Sequence, residues 1–453
     1  MNSKGPDYIS TTNACKLCRP LGACLAFRGM EGTVAFLHGS QGCATYMRRY
    51  IISHYNEPMD IASSSLSEKH AVYGGGPNLK LGLSNVQKKY APKMIGIATT
   101  CLTETIGDDV NMYLREYERE YDGKDDLPCF VNVSSPSYSG THMQGFHGAV
   151  RAVVEQMTEG GPVTGCVNLL PGFVSCADYR YLSEVMADFG LDHTTLPDLS
   201  LTMDRPALLE YEKVPGGGTP LHRIRAMGRS CATIEFGRTL GEDESAGRLL
   251  LSRFGVKRFR TGMPLGIRES DDFFNILSEI SGREMPEKHR LERGRLVDAY
   301  VDGHKYLFGK RAVVYGEEDL VTGMVSFLSE IGIQTVLCAS GETSGRLVQA
   351  IRAVTDGILA DQPEVHEGMD FHEISNRAEA LAPDIIVGHS KGYPLARKLG
   401  VPLIRVGFPI HDRIGGQRIL HLGYRGAQML FDTIVNTVIA HTQELSDIGY
   451  SYM

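Results

Sequence analysis

Two cysteines in this 453-residue sequence occupy equivalent positions, each at the end of a short apolar run where a helical pattern begins. Cys43 follows the turn 38–42, and Cys101 follows the turn 99–100. The carboxyl ends of parallel strands are where open α/β folds bind ligands, and a helix N-terminus stabilises a thiolate. We therefore expect both thiols at one sheet edge, in a form that can bind metal or act as a nucleophile.

Cys18 is a third candidate, because it lies in an irregular segment beside the positively charged Arg19. The separations of 25 residues from Cys18 to Cys43 and 58 residues from Cys43 to Cys101 are too wide for a zinc ribbon. They suit separate loops that converge on one edge, and converging thiolates can bind an iron–sulfur cluster. Three ligands would leave such a cluster incomplete, so a partner subunit would supply the rest. Buried packing is the alternative for each cysteine taken singly.

The remaining cysteines show weaker patterns. Cys15 forms a Cys-x-x-Cys pair with Cys18, but the sequence has no second such pair to complete a four-cysteine zinc site. A thioredoxin-like motif would open a helix directly after a strand, and no strand is predicted before this pair. A disulfide framework is not expected under reducing conditions. We expect packing roles for the others, which are Cys24, Cys129, Cys166, Cys176, Cys231 and Cys338.

Short apolar runs alternate with helical patterns along the chain, which predicts an α/β fold with mostly parallel sheets. The predicted strands are 33–37, 94–98, 165–170, 311–316, 334–338, 384–388 and 402–406. One helix is predicted from about 44 to 52, and a long helix from the turn at 99–101 to about 121. The length suggests about three domains, which we place at 1–160, with the candidate ligands, 161–305 and 306–453.

Composition and missing motifs exclude several classes of function. A formal charge of −8 argues against non-specific nucleic-acid binding, which needs a basic surface. The sequence has no Gly-x-Gly-x-x-Gly fingerprint for a dinucleotide and no Gly-Lys-Ser/Thr loop for ATP. It has no apolar run long enough for a membrane helix, and its first residues do not form a signal peptide. We therefore expect a cytoplasmic protein.

Several segments resemble, in order and spacing, the β-type subunit of nitrogenase component 1. The resemblance spans nearly the whole chain, and its three-cysteine set is far more specific than a lone glycine loop. The matching segments are 18–23, 38–43, 63–68, 99–109, 136–141, 388–392, 402–413 and 422–426.

This resemblance implies three Rossmann-like domains and an αβ pair that is usually doubled to α₂β₂. It also implies an [8Fe–7S] P-cluster shared across the αβ interface, with Cys18, Cys43 and Cys101 as the β-side ligands. The α-type partner would supply the other three ligands and hold the substrate-reducing cofactor. A homodimeric, ATP-hydrolysing iron protein would deliver electrons. The chain would thus relay electrons and carry no catalytic residue of its own.

Two departures from the molybdenum nitrogenase pattern affect this expectation. Thr141 occupies the position of a Ser that can ligate the oxidised P-cluster, and its β-branched side chain has fewer rotamers. The chain is also shorter than the β subunit of the molybdenum enzyme. Its length is nearer that of the alternative nitrogenases, the nitrogenase-like reductases and the cofactor-assembly scaffold.

Two functions from different classes therefore remain open. The first is the β subunit of a nitrogenase-like reductase, either nitrogenase itself or a C–S-cleaving methylthio-alkane reductase. The second is the β subunit of the scaffold on which the iron–molybdenum cofactor matures, with a [4Fe–4S] cluster at its interface. The retention of all three cysteines favours the reductase, and the compact length favours the scaffold. The chlorophyll-pathway reductases share the fold and rank third.

Charged and polar neighbours of the expected ligands have two interpretations. His38 and Arg19 either tune a cluster through hydrogen bonds and positive charge or only support the turns. Further along the chain, we expect Asp412 and Arg413 to form an ion pair.

Overall fold

The computed structural model describes residues 13–120, 127–210 and 212–447. The first sheet consists of strands β1 (Thr33–His38), β2 (Ile61–Ser63), β3 (Met94–Thr99) and β4 (Cys129–Val133) in the order β2-β1-β3-β4. The helices around it are α1 (Arg19–Arg28), α2 (Gln41–Tyr55), α3 (His70–Tyr73), α4 (Gly76–Tyr90), α5 (Cys101–Ile106), α6 (Val110–Glu120) and α7 (His142–Met157). All pairs of neighbouring strands are parallel.

The second sheet has the order β6-β5-β7-β8 and is also parallel. Its strands are β5 (Val167–Leu170), β6 (His193–Thr195), β7 (Ala232–Phe236) and β8 (Lys257–Thr261). The associated helices are α8 (Cys176–Asp188), α9 (Leu221–Ala226), α10 (Ala246–Phe254), α11 (Gly266–Ser281) and α12 (Glu287–Leu307).

The third sheet is parallel with the order β11-β10-β9-β12-β13. Its strands are β9 (Arg311–Tyr315), β10 (Gln334–Ala339), β11 (Glu364–His366), β12 (Ile385–Gly388) and β13 (Leu403–Arg405). Its helices are α13 (Glu318–Glu330), α14 (Leu347–Thr355), α15 (Phe371–Leu381), α16 (Tyr393–Leu399) and α17 (Gly423–Leu445). The predicted α/β class with parallel sheets is confirmed. The domain boundaries at 160/161 and 305/306 stay a prediction.

The central strands of the first sheet show why these residues form strands. Every residue of β1 and β3 is buried, as expected where helices cover both faces of a parallel sheet. One hydrophobic core continues through all three sheets and includes Leu37, Leu169 and Val314. The C-terminal helix α17 returns to pack against α11 and α12. The three sheets are therefore joined by continuous packing.

One predicted helix was wrong in its extent. The segment after Cys101 was expected to form a single helix to about 121, but α5 ends at Ile106, with Gly107 as its C-cap residue, and α6 begins at Val110. Gly107 has φ +77°, a left-handed conformation that glycine adopts without a steric penalty. Asp109 then accepts a hydrogen bond from the Met112 amide, 2.9 Å away, in the first turn of α6. At this break between the two helices, the Asp108 side chain points into the interior, where it contacts His38.

Asp412 forms its main ion pair with Arg405 rather than with Arg413. Arg405 Nη2 lies 2.6 Å from Asp412 Oδ2, whereas Arg413 Nη1 is 3.7 Å from that oxygen. Burial raises the pKa of Asp412, but hydrogen bonds from Arg405 and Ser390 outweigh it and lower the pKa to about 2. The folded structure therefore stabilises the ionised form of the Asp412 carboxyl group.

Asp412→Asn should remove a stabilisation that depends on pH. An unfolded Asp titrates near pH 4, so the wild-type contribution is complete above about pH 4 and is lost as pH falls toward 2. Urea unfolding of the full-length chain should show Asp412→Asn less stable by about 1 to 2 kcal/mol at pH 7. The difference should shrink as the pH is lowered below 4. A difference that stays constant down to pH 3 would contradict the ion-pair explanation.

None of the helices in the described ranges is long and apolar enough to cross a membrane.

Candidate iron–sulfur site at the edge of the first sheet

Cys43 and Cys101 follow neighbouring strands and lie at the same sheet edge. Strands β1 and β3 pair in parallel, with His38 opposite Thr99 at their carboxyl ends. Cys43 is the third residue of α2, and Cys101 is the first residue of α5. Both thiols are therefore in the first turn of a helix. This is the placement that the sequence predicted.

The two turns that carry these cysteines are held against each other. The His38 carbonyl oxygen accepts hydrogen bonds from the hydroxyls of Thr100, at 3.1 Å, and Thr103, at 3.0 Å. A Cβ on Gly39 would overlap the Thr100 side chain, so this close approach requires glycine. The relative position of the Cys43 and Cys101 turns is thus fixed by backbone and side-chain contacts.

The loop after β4 adds a third segment to this edge. The Ser137 amide donates a hydrogen bond to Cys101 Sγ, with a nitrogen–sulfur distance of 3.2 Å. Two residues later, the Ser139 hydroxyl accepts a hydrogen bond from Arg19 Nη1 at 2.6 Å. A backbone amide directed at a cysteine sulfur stabilises negative charge there. The loop therefore links the Cys101 turn to the segment that begins α1.

Cys18 reaches the same region through the contact between α1 and α7. It is the N-cap residue of α1 and forms an isolated antiparallel bridge with Thr141, the N-cap residue of α7. The two helices cross closely, because a Cβ on Gly22 would overlap the His142 carbonyl oxygen and one on Gly145 would overlap that of Arg19. Cys18 and Thr141 therefore lie side by side where two helices begin.

The Thr141 hydroxyl already has a structural role. Its Oγ1 accepts a hydrogen bond from the Met143 amide at 3.3 Å, and its own amide bonds Gln144 Oε1 at 2.6 Å, which completes a capping box. The residue is 2% exposed. Ligation of a cluster by Thr141 would require its oxygen to rotate away from the Met143 amide.

Thr141→Val should weaken the start of α7. The variant keeps the shape of the side chain but loses the capping oxygen, so urea unfolding should show a loss of about 1 kcal/mol. Thr141→Ser retains the oxygen and serves as the control, with stability close to that of the wild type. Equal stability of the Val variant and the wild type would show that the cap does not contribute.

Accessibility separates the candidate ligands from most other cysteines. Cys101 is exposed, and Cys18 and Cys43 are partly exposed. By contrast, Cys15, Cys24, Cys176 and Cys338 are buried. Burial raises the pKa of the Cys15 thiol to about 12 and also raises the pKa values of the other three buried thiols. Buried thiols of this kind are inert.

The donor set at this edge consists of cysteine thiols. In the described part of the chain, no three His, Cys, Asp or Glu side chains, these three cysteines included, lie close enough together to hold one metal ion. The edge offers thiols from three loops, and cysteine thiolates are the ligands that iron–sulfur clusters take. Because Cys101 is exposed and Cys18 and Cys43 are partly exposed, a second polypeptide can reach this edge.

His38 supports the turns through hydrogen bonds of both ring nitrogens. Its Nε2 lies 3.0 Å from Asp108 Oδ2 and its Nδ1 lies 3.0 Å from Ser64 Oγ. The Gly75 amide donates to Asp108 as well. Burial lowers the pKa of His38 more than Asp108 raises it, so the imidazole is neutral. The structure thus favours the supporting interpretation of His38 over charge-based tuning.

Comparisons with known proteins show the family to which this chain is similar. The family model for nitrogenase component 1 type oxidoreductases matches residues 18–439. The nitrogenase molybdenum-iron protein beta chain of Methanothermobacter marburgensis is 34% identical over 445 residues, covering 95% of each chain. That of Sinorhizobium fredii is 35% identical and covers 99% of this chain and 90% of its own.

Two further similarities concern an assembly protein and a solved structure. The nitrogenase iron-molybdenum cofactor biosynthesis protein NifN of Bradyrhizobium diazoefficiens is 34% identical, covering 97% of this chain and 92% of its own. A solved structure described as nitrogenase Cp1 at pH 6.5 superposes with a TM-score of 0.94 at 29% identity, covering 99% of this chain and 98% of that chain. The chain therefore belongs to the nitrogenase component 1 type oxidoreductases, as a β-type subunit.

Proposed function

We propose that this chain relays electrons within a nitrogenase-like reductase and that Cys18, Cys43 and Cys101 bind half of an [8Fe–7S] cluster shared with an α-type subunit. The observation that carries the proposal is the set of three accessible thiols on one edge, each at or beside the start of a helix. When bound, such a cluster would supply one-electron steps.

The residues of this chain would act mainly by holding the ligands in place. The Thr100 and Thr103 hydroxyls fix the Cys101 turn against the Cys43 turn. The Ser137 amide would stabilise the charge on the Cys101 sulfur. Because hydrogen bonds to ligand sulfurs tune an iron–sulfur centre, Ser137 would also contribute to the reduction potential.

The proposed assembly is a cytoplasmic α₂β₂ complex that accepts electrons from a homodimeric ATP-binding iron protein. The α-type partner would hold the substrate-reducing cofactor, so dinitrogen and methylthio-alkanes are both candidate substrates. This division of roles explains why the proposed ligands of this chain lie at an exposed edge rather than in an enclosed active site.

A second candidate is the β subunit of the cofactor-assembly scaffold. Its support is specific, since the NifN relative is as similar to this chain as the molybdenum-iron protein beta chains are, at 34% against 34% and 35% identity. In that role the same edge would hold a [4Fe–4S] cluster.

Cluster formation in the presence and absence of the partner tests the proposal. The chain produced alone should retain little iron, because half of the ligands are missing, and the chain co-produced with the α-type subunit of its own organism should retain a cluster. A full iron complement in the isolated chain would contradict the shared site. Mössbauer spectra of the complex then distinguish the two candidates, since an [8Fe–7S] signature supports the reductase and a [4Fe–4S] signature supports the scaffold.

A further inference from the structure

Two cysteines outside the candidate site lie next to each other in the second sheet, at the amino ends of neighbouring strands. Cys166 and Cys231 immediately precede β5 and β7, whose first residues, Val167 and Ala232, are register partners. The Cys231 amide donates to the Cys166 carbonyl oxygen at 2.9 Å, which extends the ladder by one residue. Both were expected to be packing residues, yet Cys231 is exposed and Cys166 is partly exposed.

From this arrangement we propose that Cys166 and Cys231 form a redox-active dithiol that exchanges with low-molecular-weight disulfides. Neighbouring strands are about 4.8 Å apart, within the range of about 4.4–6.8 Å between the Cα atoms of disulfide-bonded cysteines. Cys231 Sγ already lies 3.3 Å from the Cys166 carbonyl oxygen, so its side chain leans toward its neighbour. A rotation of the Cys166 side chain would bring the sulfurs together.

The surroundings of Cys166 identify it as the attacking thiol. Arg223 Nη1 lies 3.8 Å from its sulfur, and Thr194 Oγ1 lies 3.4 Å from it. An ion pair with Asp192 at 2.7 Å holds the Arg223 guanidinium beside this sulfur. The thiolate is the nucleophile in disulfide exchange. Cys231, whose sulfur lies 3.3 Å from the Cys166 carbonyl oxygen, would then act as the resolving thiol.

A groove next to Cys166 offers a small disulfide a route to the sulfur, although the two cysteines do not themselves line it. Arg223 and Thr194 line a surface groove of about 650 Å³ that also includes His193 at the exposed edge of β6. The Cys166 thiolate would attack one sulfur of the disulfide and release the first thiolate. The Cys231 thiolate would then attack the mixed disulfide at Cys166 and release the second thiolate. Overall, two protein thiols are oxidised to one disulfide and the external disulfide is reduced to two thiols.

This dithiol is separate from the proposed cluster site. It lies at the amino ends of β5 and β7, whereas Cys43 and Cys101 follow the carboxyl ends of β1 and β3 in the first sheet. Its test therefore does not depend on iron.

The full-length chain in complex with its partner should be incubated anaerobically with oxidised glutathione, alkylated with iodoacetamide and digested with trypsin. Mass spectrometry should find peptide 152–180 joined through Cys166 to peptide 230–238 in most chains. Fragment ions distinguish Cys166 from the buried Cys176 in the same peptide. In Cys231→Ala, glutathione should remain attached to Cys166, because the resolving thiol is missing.

Cys129 is the matched control within the same protein. Arg225 Nη2 lies 3.1 Å from its sulfur, but its strand partner is Met94 rather than a cysteine. Cys129 should therefore form no intramolecular cross-link. The proposal is overturned if Cys166 and Cys231 remain separately alkylated, or if the wild type accumulates only glutathione adducts without the cross-link.

Discussion

Cys101→Ala should strip the interface iron from the complex with the α-type subunit. Cys101 is the most accessible of the three candidate ligands and receives the Ser137 amide hydrogen bond at its sulfur. Loss of this sulfur would leave one coordination position of the cluster open and would remove the hydrogen-bond acceptor of the Ser137 amide. We expect the iron content per αβ pair and the cluster absorption of the purified complex to fall to a small fraction of the wild-type values. Cys43→Ala should have the same effect.

The control for this experiment is Cys129→Ala. Cys129 is partly exposed but lies in β4, at the opposite end from the candidate ligands, and its variant should keep the wild-type iron content. Unchanged iron in Cys101→Ala and in Cys43→Ala would refute their assignment as ligands.

Gly22→Ala should cause the largest loss of stability among single substitutions near the site. Its Cβ would overlap the His142 carbonyl oxygen, and backbone atoms of the facing helix cannot rotate away as a side chain would. Helices α1 and α7 would have to separate, which overpacking data suggest costs about 3 kcal/mol. Because Cys18 and Thr141 are the N-cap residues of these helices, the complex should also lose iron. Urea unfolding and iron analysis measure the two effects.

Gly294→Ala provides the matched control for helix glycines. Gly294 lies within α12, and a Cβ there would meet no atom within 4 Å. Alanine has the higher helix propensity by about 1 kcal/mol, so this variant should be slightly more stable than the wild type, with unchanged iron. If Gly22→Ala behaved like Gly294→Ala, the close crossing of α1 and α7 would not be a requirement of the fold.

The central strands of the first and third sheets could be predicted from sequence because they are almost entirely apolar. β7 was missed, although it is an inner strand, because it contains Glu235. The structure accommodates this carboxylate with Arg258 Nε at 2.8 Å and Ser245 Oγ at 2.6 Å. These partners are distant in sequence, so no local pattern reveals them. Because β7 was not predicted, the neighbouring positions of Cys166 and Cys231 could not be predicted either.

The placement of Cys43 and Cys101 was predictable, since a strand followed by a turn and a helix is a local pattern. The contact between Cys18 and Thr141 was not, because it depends on how α1 crosses α7. The supporting role of His38 could not be predicted from the sequence either. Its partner Asp108 is 70 residues away and faces inward only because Gly107 interrupts the expected long helix.

The central claim is that three thiols of this chain bind iron at a contact with a second subunit. X-ray diffraction from crystals of the αβ complex, recorded on both sides of the iron absorption edge, tests it most directly. We predict anomalous iron peaks within bonding distance of the sulfurs of Cys18, Cys43 and Cys101, with further iron bound to the α-type subunit. Iron density that is absent from these sulfurs, or that is enclosed by this chain alone, would contradict the account.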